Sequence, residues 1–179
     1  MNMFTKTTFF YLVVLLLISC SGEISPYEYY SRSPIILNGQ IDIDGNGFFD
    51  VSIEKTSEKL AGKTVKTFKV TPLNDSRILF KSRFGADILH FGDTVYSEVS
   101  IPHYWSQIPS YLARQTTTGD KYWIGLWAGQ TGYLGLKIKR RTEYHCAWMY
   151  MRVDTLKENY EIYNTRYSLF SNKDLVINQ

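Results

Sequence analysis

An alternation of apolar and polar residues restricts the fold of this chain more than any other feature of its sequence. In residues 49–54, and again in residues 133–139, every second side chain is a large apolar one. A period of two places alternate side chains on opposite faces of a β-strand. Residues 55–60 and 106–114 could each hold a turn or two of helix, but no longer helical periodicity follows residue 34. The pattern therefore predicts an all-β domain.

Turn-forming residues between the alternating runs predict where the strands end. A first hairpin is expected over residues 35–54, with its turn at Gly45-Asn46-Gly47, because these residues adopt positive φ readily. The further predicted strands are residues 64–71, 77–82, 86–91, 94–101, 121–127, 132–140, 142–153, 159–170 and 175–178. About nine or ten short strands with turn signals between them predict an antiparallel β-sandwich or jelly-roll-like domain.

Two of the predicted strands differ in how they bury their side chains. In the first hairpin, Ile35, Leu37, Ile41 and Ile43 are expected on one inward face. Residues 142–153 are apolar on both faces. A strand of that kind is predicted to be central in its sheet and covered on both sides.

The first 19 residues form a segment of a different kind. Lys6 precedes an unbroken apolar run at residues 9–18, and small Ser19 follows it. This is the composition of a signal-peptide core. The alternative is a transmembrane helix, but a bilayer core requires about 20 apolar residues, and polar residues 21–23 follow the run at once.

Leu17-Ile18-Ser19-Cys20 resembles the lipobox of bacterial lipoprotein precursors. The resemblance implies that a signal peptide of residues 1–19 is removed and that Cys20 then carries diacylglycerol and a further acyl chain such as palmitate. Several acyl chains hold a protein on a membrane, whereas a single short chain does not. Because no Asp follows Cys20, we expect the outer membrane of the cell envelope as the location.

Residues 20–34 and 35–179 differ in composition. The first segment mixes Ser, Pro, Tyr and charged residues without apolar periodicity, which predicts a surface tether. The second is long enough for one domain with a sizeable core. The whole chain has 20 Lys and Arg against 17 Asp and Glu, interleaved and without a basic run, which argues against nucleic acid as a partner.

Few residues in the chain carry the pattern of an enzyme. After Cys20 the one remaining cysteine is Cys146, so no intramolecular disulfide is available. His145 beside it on a strand would point to the opposite face and could not activate the thiol. The spacing of His90, His103 and His145 matches no zinc site. The sequence also contains no nucleophile elbow, no His-Glu-x-x-His and no phosphate-binding glycine loop, which argues against an enzyme.

One Asp-rich turn is the motif that carries chemistry. Asp42, Asp44, Asn46 and Asp50 stand at positions 1, 3, 5 and 9 of a calcium-loop pattern and supply the oxygen ligands that calcium prefers. Position 12, where an EF-hand loop has a bidentate Glu, is Ile53. The residues therefore predict either a weak calcium site of the millimolar type or a hairpin turn that binds no ion.

Aromatic residues make up 16% of the chain, which is enough to supply a ligand-binding surface. Tyr104 and Trp105 lie in a predicted loop at residues 101–111, and Trp123 and Trp127 are expected on one face of a strand. Exposed aromatic rings stack on sugars and anchor protein partners, so these four are candidate ligand-binding residues. The alternative is that they close the end of the sandwich and fill its core.

Three short motifs occur in order along the chain: residues 41–50, Tyr133-Leu134-Gly135-Leu136-Lys137 and His145-Cys146-Ala147-Trp148. Together they resemble a group of exported proteins of Gram-negative bacteria that have no assigned biochemical function. The chain departs from that group at Tyr150, where Arg is usual, and at Val51, where an aromatic residue is usual. The resemblance implies an exported or surface β-domain and no particular reaction.

Two expectations from different classes follow. The first is a lipid-anchored module of the cell envelope that binds a glycan or a protein partner. The second is a small hydrolase that acts on polysaccharide. A cleft with two carboxyl groups about 5–10 Å apart would favour the hydrolase, whereas a filled sandwich with a flat aromatic surface would favour the module.

Overall fold

The structure is a computed structural model that describes residues 29–81, 85–116 and 122–178. No α-helix occurs in these ranges, and therefore none that is long and apolar enough to cross a membrane. The strands are β1 (Tyr29–Arg32), β2 (Ile35–Leu37), β3 (Gln40–Asp42), β4 (Val51–Leu60), β5 (Lys63–Pro72), β6 (Arg77–Lys81), β7 (Thr94–Val95), β8 (His103–Ser106), β9 (Ser110–Gln115), β10 (Trp123–Ile124), β11 (Thr131–Arg140), β12 (Glu143–Asp154), β13 (Asn159–Ser168) and β14 (Leu175–Val176). The prediction of an all-β domain is confirmed.

Twelve of these strands form two antiparallel sheets of six. Sheet A has the order β1-β13-β12-β11-β6-β8, and sheet B has the order β10-β9-β5-β4-β3-β2. The remaining strands, β7 and β14, pair with each other. Side chains from both large sheets enter one core, so the two sheets form the predicted sandwich.

The core between the sheets is filled by large side chains. Sheet B contributes Phe68 and Val70, and sheet A contributes Leu136 and Met149, all of them inaccessible to solvent. Trp127, which follows β10, is equally buried among them. Along β5, Phe68 and Val70 alternate with the more exposed Lys69 and Thr71, as the period of two predicts. In β11, residues 134–138 are buried on both faces of the sheet.

Sheet A is also covered on its outer face. Cys146 and Trp148 of β12 point away from the main core and pack against Val95 of β7, Leu175 of β14 and Ile177. We call this group the outer cluster. It explains why β12 has no polar face, and it confirms the prediction of a central strand buried on both sides.

The first hairpin differs from its prediction. β2 and β3 are joined by a tight turn at residues 38–39, both with positive φ, where the chain reverses. Ile35 and Leu37 are therefore exposed, and only Ile41 and Ile43 point into the core. The glycine-rich turn predicted between two strands is part of a longer loop, residues 43–50, that connects β3 to β4.

The amino-terminal boundary of the domain also differs. Residues 29–32, predicted as part of the tether 20–34, form β1 and pair with β13 at the edge of sheet A. Pairing with a distant strand leaves no local signal in the sequence. The predicted signal segment 1–19, Cys20 and the remainder of the tether up to residue 28 lie outside the described residues.

Several predicted elements have other extents or other structures. Residues 86–91 make isolated bridges at Ala86 and Leu89 instead of a strand, and the strand predicted at 94–101 is only β7. β8 and β9 form where an aromatic loop was predicted at 101–111. Strands also replace the helical turns considered at 55–60 and 106–114, because β4 and β9 pair with β5 on either side.

Candidate functional site

The acidic loop, residues 43–50 together with Asp42 at the end of β3, brings the predicted carboxylates together. One oxygen from each of Asp42, Asp44 and Asp50 lies within 4.8 Å of the others. All three residues are buried, with at most 6% of their surface exposed. Their geometry therefore supports the prediction that these side chains share a site. What the site can bind depends on the hydrogen bonds that the carboxylate oxygens already accept.

Backbone amides occupy part of this oxygen set. Asp42 accepts hydrogen bonds from the Gly45 and Gly47 amides at 2.6 and 2.8 Å. Asp50 accepts one from the Ile43 amide at 2.8 Å. Aspartates that cap their own turn in this way fix the loop backbone and keep the carboxylates pointing inward.

Arg140 is the cation that contacts these carboxylates within the described part of the chain. Its Nε lies 2.6 Å from Asp44 Oδ2, and its guanidinium sits over the Tyr167 ring at 4.9 Å. Asn46, the fourth predicted ligand, donates from Nδ2 to Asp44 at 3.0 Å and accepts the Phe48 amide at 2.7 Å. Both ends of its amide are used within the turn.

Burial changes the ionisation of the acidic loop. It raises the pKa of the Asp50 carboxyl to about 7, the charges of Asp44 and Asp42 raise it further, and the Ile43 amide opposes them. Burial likewise raises the pKa of Asp44, against the Asn46 amide and Arg140. Three carboxylates beside one arginine leave excess negative charge, which a proton on Asp50 or a bound cation would neutralise.

The surroundings limit the ion that this loop could hold. Ile53, at position 12 of the calcium pattern, is buried in the main core and offers no ligand. The loop therefore supplies fewer oxygens than the six to eight that calcium usually takes, and water would have to complete the shell. The calcium assignment stays a prediction.

Trp123 and Trp127 do not form the predicted aromatic surface. Gly125, with φ of +117°, turns the chain after β10, so the two tryptophans do not share a strand. Trp127 is fully buried and donates from Nε1 to the Ala86 carbonyl at 3.3 Å, so its position corresponds to the alternative in which it fills the core. Trp123 stacks on Phe68 with ring centroids 5.3 Å apart and packs against the core.

Tyr104 and Trp105 point to opposite sides of β8. Trp105 is partly buried against the outer cluster, with Lys137 Nζ 5.3 Å from its ring centre. Tyr104 is 45% exposed and meets Phe80 edge-on at 5.5 Å. Of the four aromatic candidates, Tyr104 alone presents a substantial exposed ring, so they do not constitute one binding surface.

A cleft of about 650 Å³ opens beside β6 and β8. Its walls are these two strands and the segment from residue 87 to residue 100, which crosses the outer face of sheet A. Apolar and charged side chains both line it, among them Leu79, Leu89, Val99, Lys81, Asp93 and Glu98. A concave site of this size and mixed lining is typical of small-ligand sites.

Asp87 and His103 form the polar centre of this cleft. Asp87 Oδ2 lies 3.0 Å from His103 Nε2, and only 8% of the Asp87 side chain is exposed. The Asp87 amide donates to the Leu79 carbonyl and His103 lies in β8, so the backbone fixes both residues. Within the residues that the structure describes, no hydrogen bond is made to the second Asp87 oxygen or to His103 Nδ1.

Sequence reasoning missed this pair. Asp87 lies in a segment that alternates like a strand, and His103 stands 16 residues further on in a predicted loop. No local motif connects them, because the contact depends on β8 pairing with β6 and on the fold of the segment between them. The sequence contains no signal for the pairing of β6 with β8, and without that pairing the two residues cannot be predicted to meet.

Cys146 is not a nucleophile in this fold. Its thiol lies in the outer cluster, and burial raises its pKa to about 12. His145 bonds through Nδ1 to the Ser168 carbonyl at 2.9 Å and pairs in register with Ile138, whose side chain lies in the main core. The two neighbours therefore point to opposite faces of β12, as the sequence predicts.

Comparison with known protein families, with characterised proteins and with solved structures finds no match to this chain. The proposals below therefore rest on the geometry of the cleft and on the amino-terminal sequence.

Proposed function

We propose that this chain is a lipid-anchored protein of the cell envelope, most simply of the outer membrane, whose β-sandwich binds a neutral glycan in the cleft at Asp87 and His103. The observation that carries the proposal is the buried Asp87 carboxylate. One of its oxygens contacts His103, and the other has no partner in the described residues. A carboxylate at the wall of a cleft is a strong acceptor for a ligand hydroxyl.

The lining of the cleft supports a glycan over other ligands. Its lining includes Leu79, Leu89 and Val99, which can pack on the C–H face of a sugar, and the exposed ring of Tyr96, which is able to stack. Asp87, Asp93 and Glu98 outnumber the one lysine of the lining, Lys81. This excess of acidic groups disfavours sulfated or uronic acid ligands and favours neutral polyols.

The lipid anchor is supported by the amino-terminal sequence. Leu17-Ile18-Ser19-Cys20 ends an apolar segment, and the first described strand begins at Tyr29, shortly after Cys20. The thiol of Cys146, the other cysteine of the chain, is buried in the domain. An acylated Cys20 would hold the β-domain directly at the membrane surface.

A binding experiment tests the glycan proposal. The chain without residues 1–19, with Cys20→Ser, is screened on a glycan array, and hits are titrated by calorimetry. Asp87→Asn should weaken binding about 10- to 100-fold, because a hydrogen bond to a charged group is lost. Glu143→Gln, an exposed carboxylate at the turn between β11 and β12, is the matched control and should bind as the wild type does. Binding unchanged by Asp87→Asn, or no glycan bound at all, would contradict the proposal.

A polysaccharide hydrolase is the second candidate, and the Asp87–His103 pair is the observation that favours it. With Asp87 on Nε2, His103 has Nδ1 free of partners in the described residues and could take a proton from water. Asp93 and Glu98 in the same cleft could protonate the leaving oxygen. Release of new reducing ends from a bound glycan, abolished by Asp87→Asn, would establish the hydrolase. Recovery of the glycan intact after prolonged incubation would leave the binding module.

A further inference from the structure

β2 presents an exposed apolar edge on sheet B. Ile35, Ile36 and Leu37 are 45%, 48% and 56% exposed, and residues 33–41 contain no charged side chain. Proteins usually blunt an edge strand with charged residues or cover it, because an open apolar edge invites association. This edge is therefore expected to have an occupant.

The position of β2 in the sandwich explains why all of its side chains are exposed. It is the outermost strand of sheet B. Ile36 pairs in register with Ile41, so the two side chains share a face of the sheet, yet Ile41 is fully buried and Ile36 is half exposed. β2 therefore overhangs the margin of the core and offers apolar side chains on both faces.

The backbone of β2 offers little to an added strand. Its turn to β3 has two residues in the left-handed region, so Leu37 and Gln40 form the hydrogen-bonded pair next to the turn. Pairs alternate along an antiparallel ladder, which leaves Ile36 as the residue of β2 whose amide and carbonyl point outward. The single outward amide and carbonyl of Ile36 are a weak template for the addition of another strand. The apolar side chains on both faces of β2 are instead suited to an apolar environment such as lipid.

The proposed lipid anchor at Cys20 would place a membrane close to this edge. Ile35 follows Cys20 by 15 residues, and β1, at the adjoining edge of sheet A, begins nine residues after Cys20. An extended chain spans about 3.4 Å per residue, so β1 lies within roughly 30 Å of an acylated Cys20. A domain held this closely meets the bilayer at high local concentration.

We infer that the β2 edge rests in the interfacial layer of the bilayer that holds Cys20, with Ile35, Ile36 and Leu37 among the lipid headgroups and upper acyl chains. The inference rests on the proposed lipid anchor. The outward groups of Ile36 can bond to water or headgroups at that depth, so no backbone group is left without a partner in hydrocarbon.

This orientation directs the cleft away from the membrane. β1 and β8 are the opposite edges of sheet A, five strand spacings of about 4.8 Å apart. β1 connects through residues 33–34 to β2, and the cleft lies beside β6 and β8. With β2 on the bilayer, the Asp87–His103 pair is presented on the far side of the domain.

A vesicle experiment tests the inference. The chain lacking residues 1–19 is used, since the main core and the outer cluster fall within residues 41–177 and lose nothing. Cys20 is coupled to a maleimide lipid in phosphatidylcholine vesicles, and amide hydrogen exchange is compared with that of the uncoupled chain. Exchange over residues 35–37 should slow at least about fivefold on the vesicles, whereas exchange at the β8 edge should not change.

Variants distinguish membrane binding by the β2 edge from non-specific adsorption of the protein to vesicles. Uncoupled Cys20→Ser chain should bind vesicles weakly, and adding Ile36→Ser and Leu37→Ser should lower the bound fraction about fivefold or more. Leu156→Ser, at a residue 94% exposed in the turn between β12 and β13, is the matched control and should have no effect. Equal melting midpoints would show that all variants fold. Unchanged exchange at β2, or equal vesicle binding by all variants, would overturn the inference.

The result does not depend on lipidation in cells, because the coupling is chemical. Absence of an acyl label on Cys20 in cells would contradict the proposed lipid anchor. The vesicle result on β2 would still be valid. Vesicle binding that is unchanged by Ile36→Ser and Leu37→Ser would contradict contact between the β2 edge and the membrane. It would not contradict the proposed lipid anchor.

Discussion

Arg140 and Asp44 join the two sheets at the margin of the sandwich. Arg140 ends β11 of sheet A, Asp44 follows β3 of sheet B, and their Nε and Oδ2 atoms lie 2.6 Å apart. The Asp44 side chain is completely buried, whereas about a third of the Arg140 side chain is exposed. The guanidinium therefore stabilises a carboxylate that solvent cannot reach, and the acidic loop is part of the fold and not a detached surface turn.

Arg140→Met should lower the free energy of unfolding by about 2 kcal/mol, because it leaves the buried Asp44 carboxylate without its cation while keeping the apolar stem over Tyr167. Urea unfolding at pH 7 measures the change. Arg141→Met, next in the chain and exposed, is the control and should change stability by less than about 0.5 kcal/mol. Equal unfolding of Arg140→Met and wild type would mean that another group neutralises Asp44.

Asp50 should make the protein less stable as the pH rises. The pKa of Asp50 is about 7 in the folded state and 3.8 for an unperturbed aspartate. Between pH 3.8 and pH 7, the carboxyl group is therefore protonated in the folded state and ionised in the unfolded state. The stabilisation is complete below pH 3.8 and is lost as the pH rises through 7, by up to about 1.4 kcal/mol per unit.

Asp50→Asn isolates this effect, since the amide can still accept from Ile43 but cannot ionise. Unfolding free energies of both proteins, measured from pH 4 to pH 9, should show the variant gaining on the wild type with rising pH. A constant difference across that range would mean that Asp50 ionises normally.

Calcium should raise the thermal midpoint of the domain at pH 8, where Asp50 is ionised. At ten times the dissociation constant the gain is about 1.4 kcal/mol, or about 3–5 °C for a domain of this size. Melts in millimolar calcium are compared with melts in EGTA, and magnesium serves as the control cation because it tolerates irregular sites poorly. The shift should be smaller in Asp50→Asn. Identical midpoints in calcium and EGTA would identify the loop as a turn that binds no ion.

Cys20→Ala should abolish incorporation of a fatty-acid analogue and leave an uncleaved or soluble precursor in cells. The reason is chemical, since the thioether forms on the sulfur of this residue. Cys146→Ala is the matched control and should be labelled normally, because the buried Cys146 thiol is not an acceptor. Normal labelling of Cys20→Ala would exclude the lipoprotein interpretation.

Cys146 should resist alkylation while the domain is folded. Burial raises its pKa to about 12, so the thiolate that reacts with iodoacetamide is scarce and inaccessible at pH 8. Mass spectrometry of the chain lacking residues 1–19 should show one modified cysteine, Cys20, in buffer and two in denaturant. Rapid modification of Cys146 in buffer would show that the outer cluster opens readily.

The parts of the fold that could be predicted are those in which each strand has one face in the main core. β5 alternates in burial because one of its faces lies in the main core, whereas β12 does not alternate because both of its faces are covered. The acidic loop was also predictable, since Asp42, Asp44 and Asp50 are close in sequence and cap their own turn.

The remaining features depend on contacts that no local pattern records. β1 lies in a polar segment and exists because it pairs with β13. β8 is a short edge strand bordered by Pro102 and by the turn before β9, so it resembles a loop. The Asp87–His103 pair requires β8 beside β6, so the site could not be predicted before the topology was known.

The outer cluster joins residues that are far apart in the sequence. Val95 packs with Leu175 and Ile177 over Trp148, so the cluster cannot close until residue 177 has been synthesised. A chain that ended before residue 175 would leave Cys146 and Trp148 without two of their apolar neighbours, Leu175 and Ile177. The outer face of sheet A is therefore closed by the last strand that the structure describes, whereas the main core contains no residue of that strand.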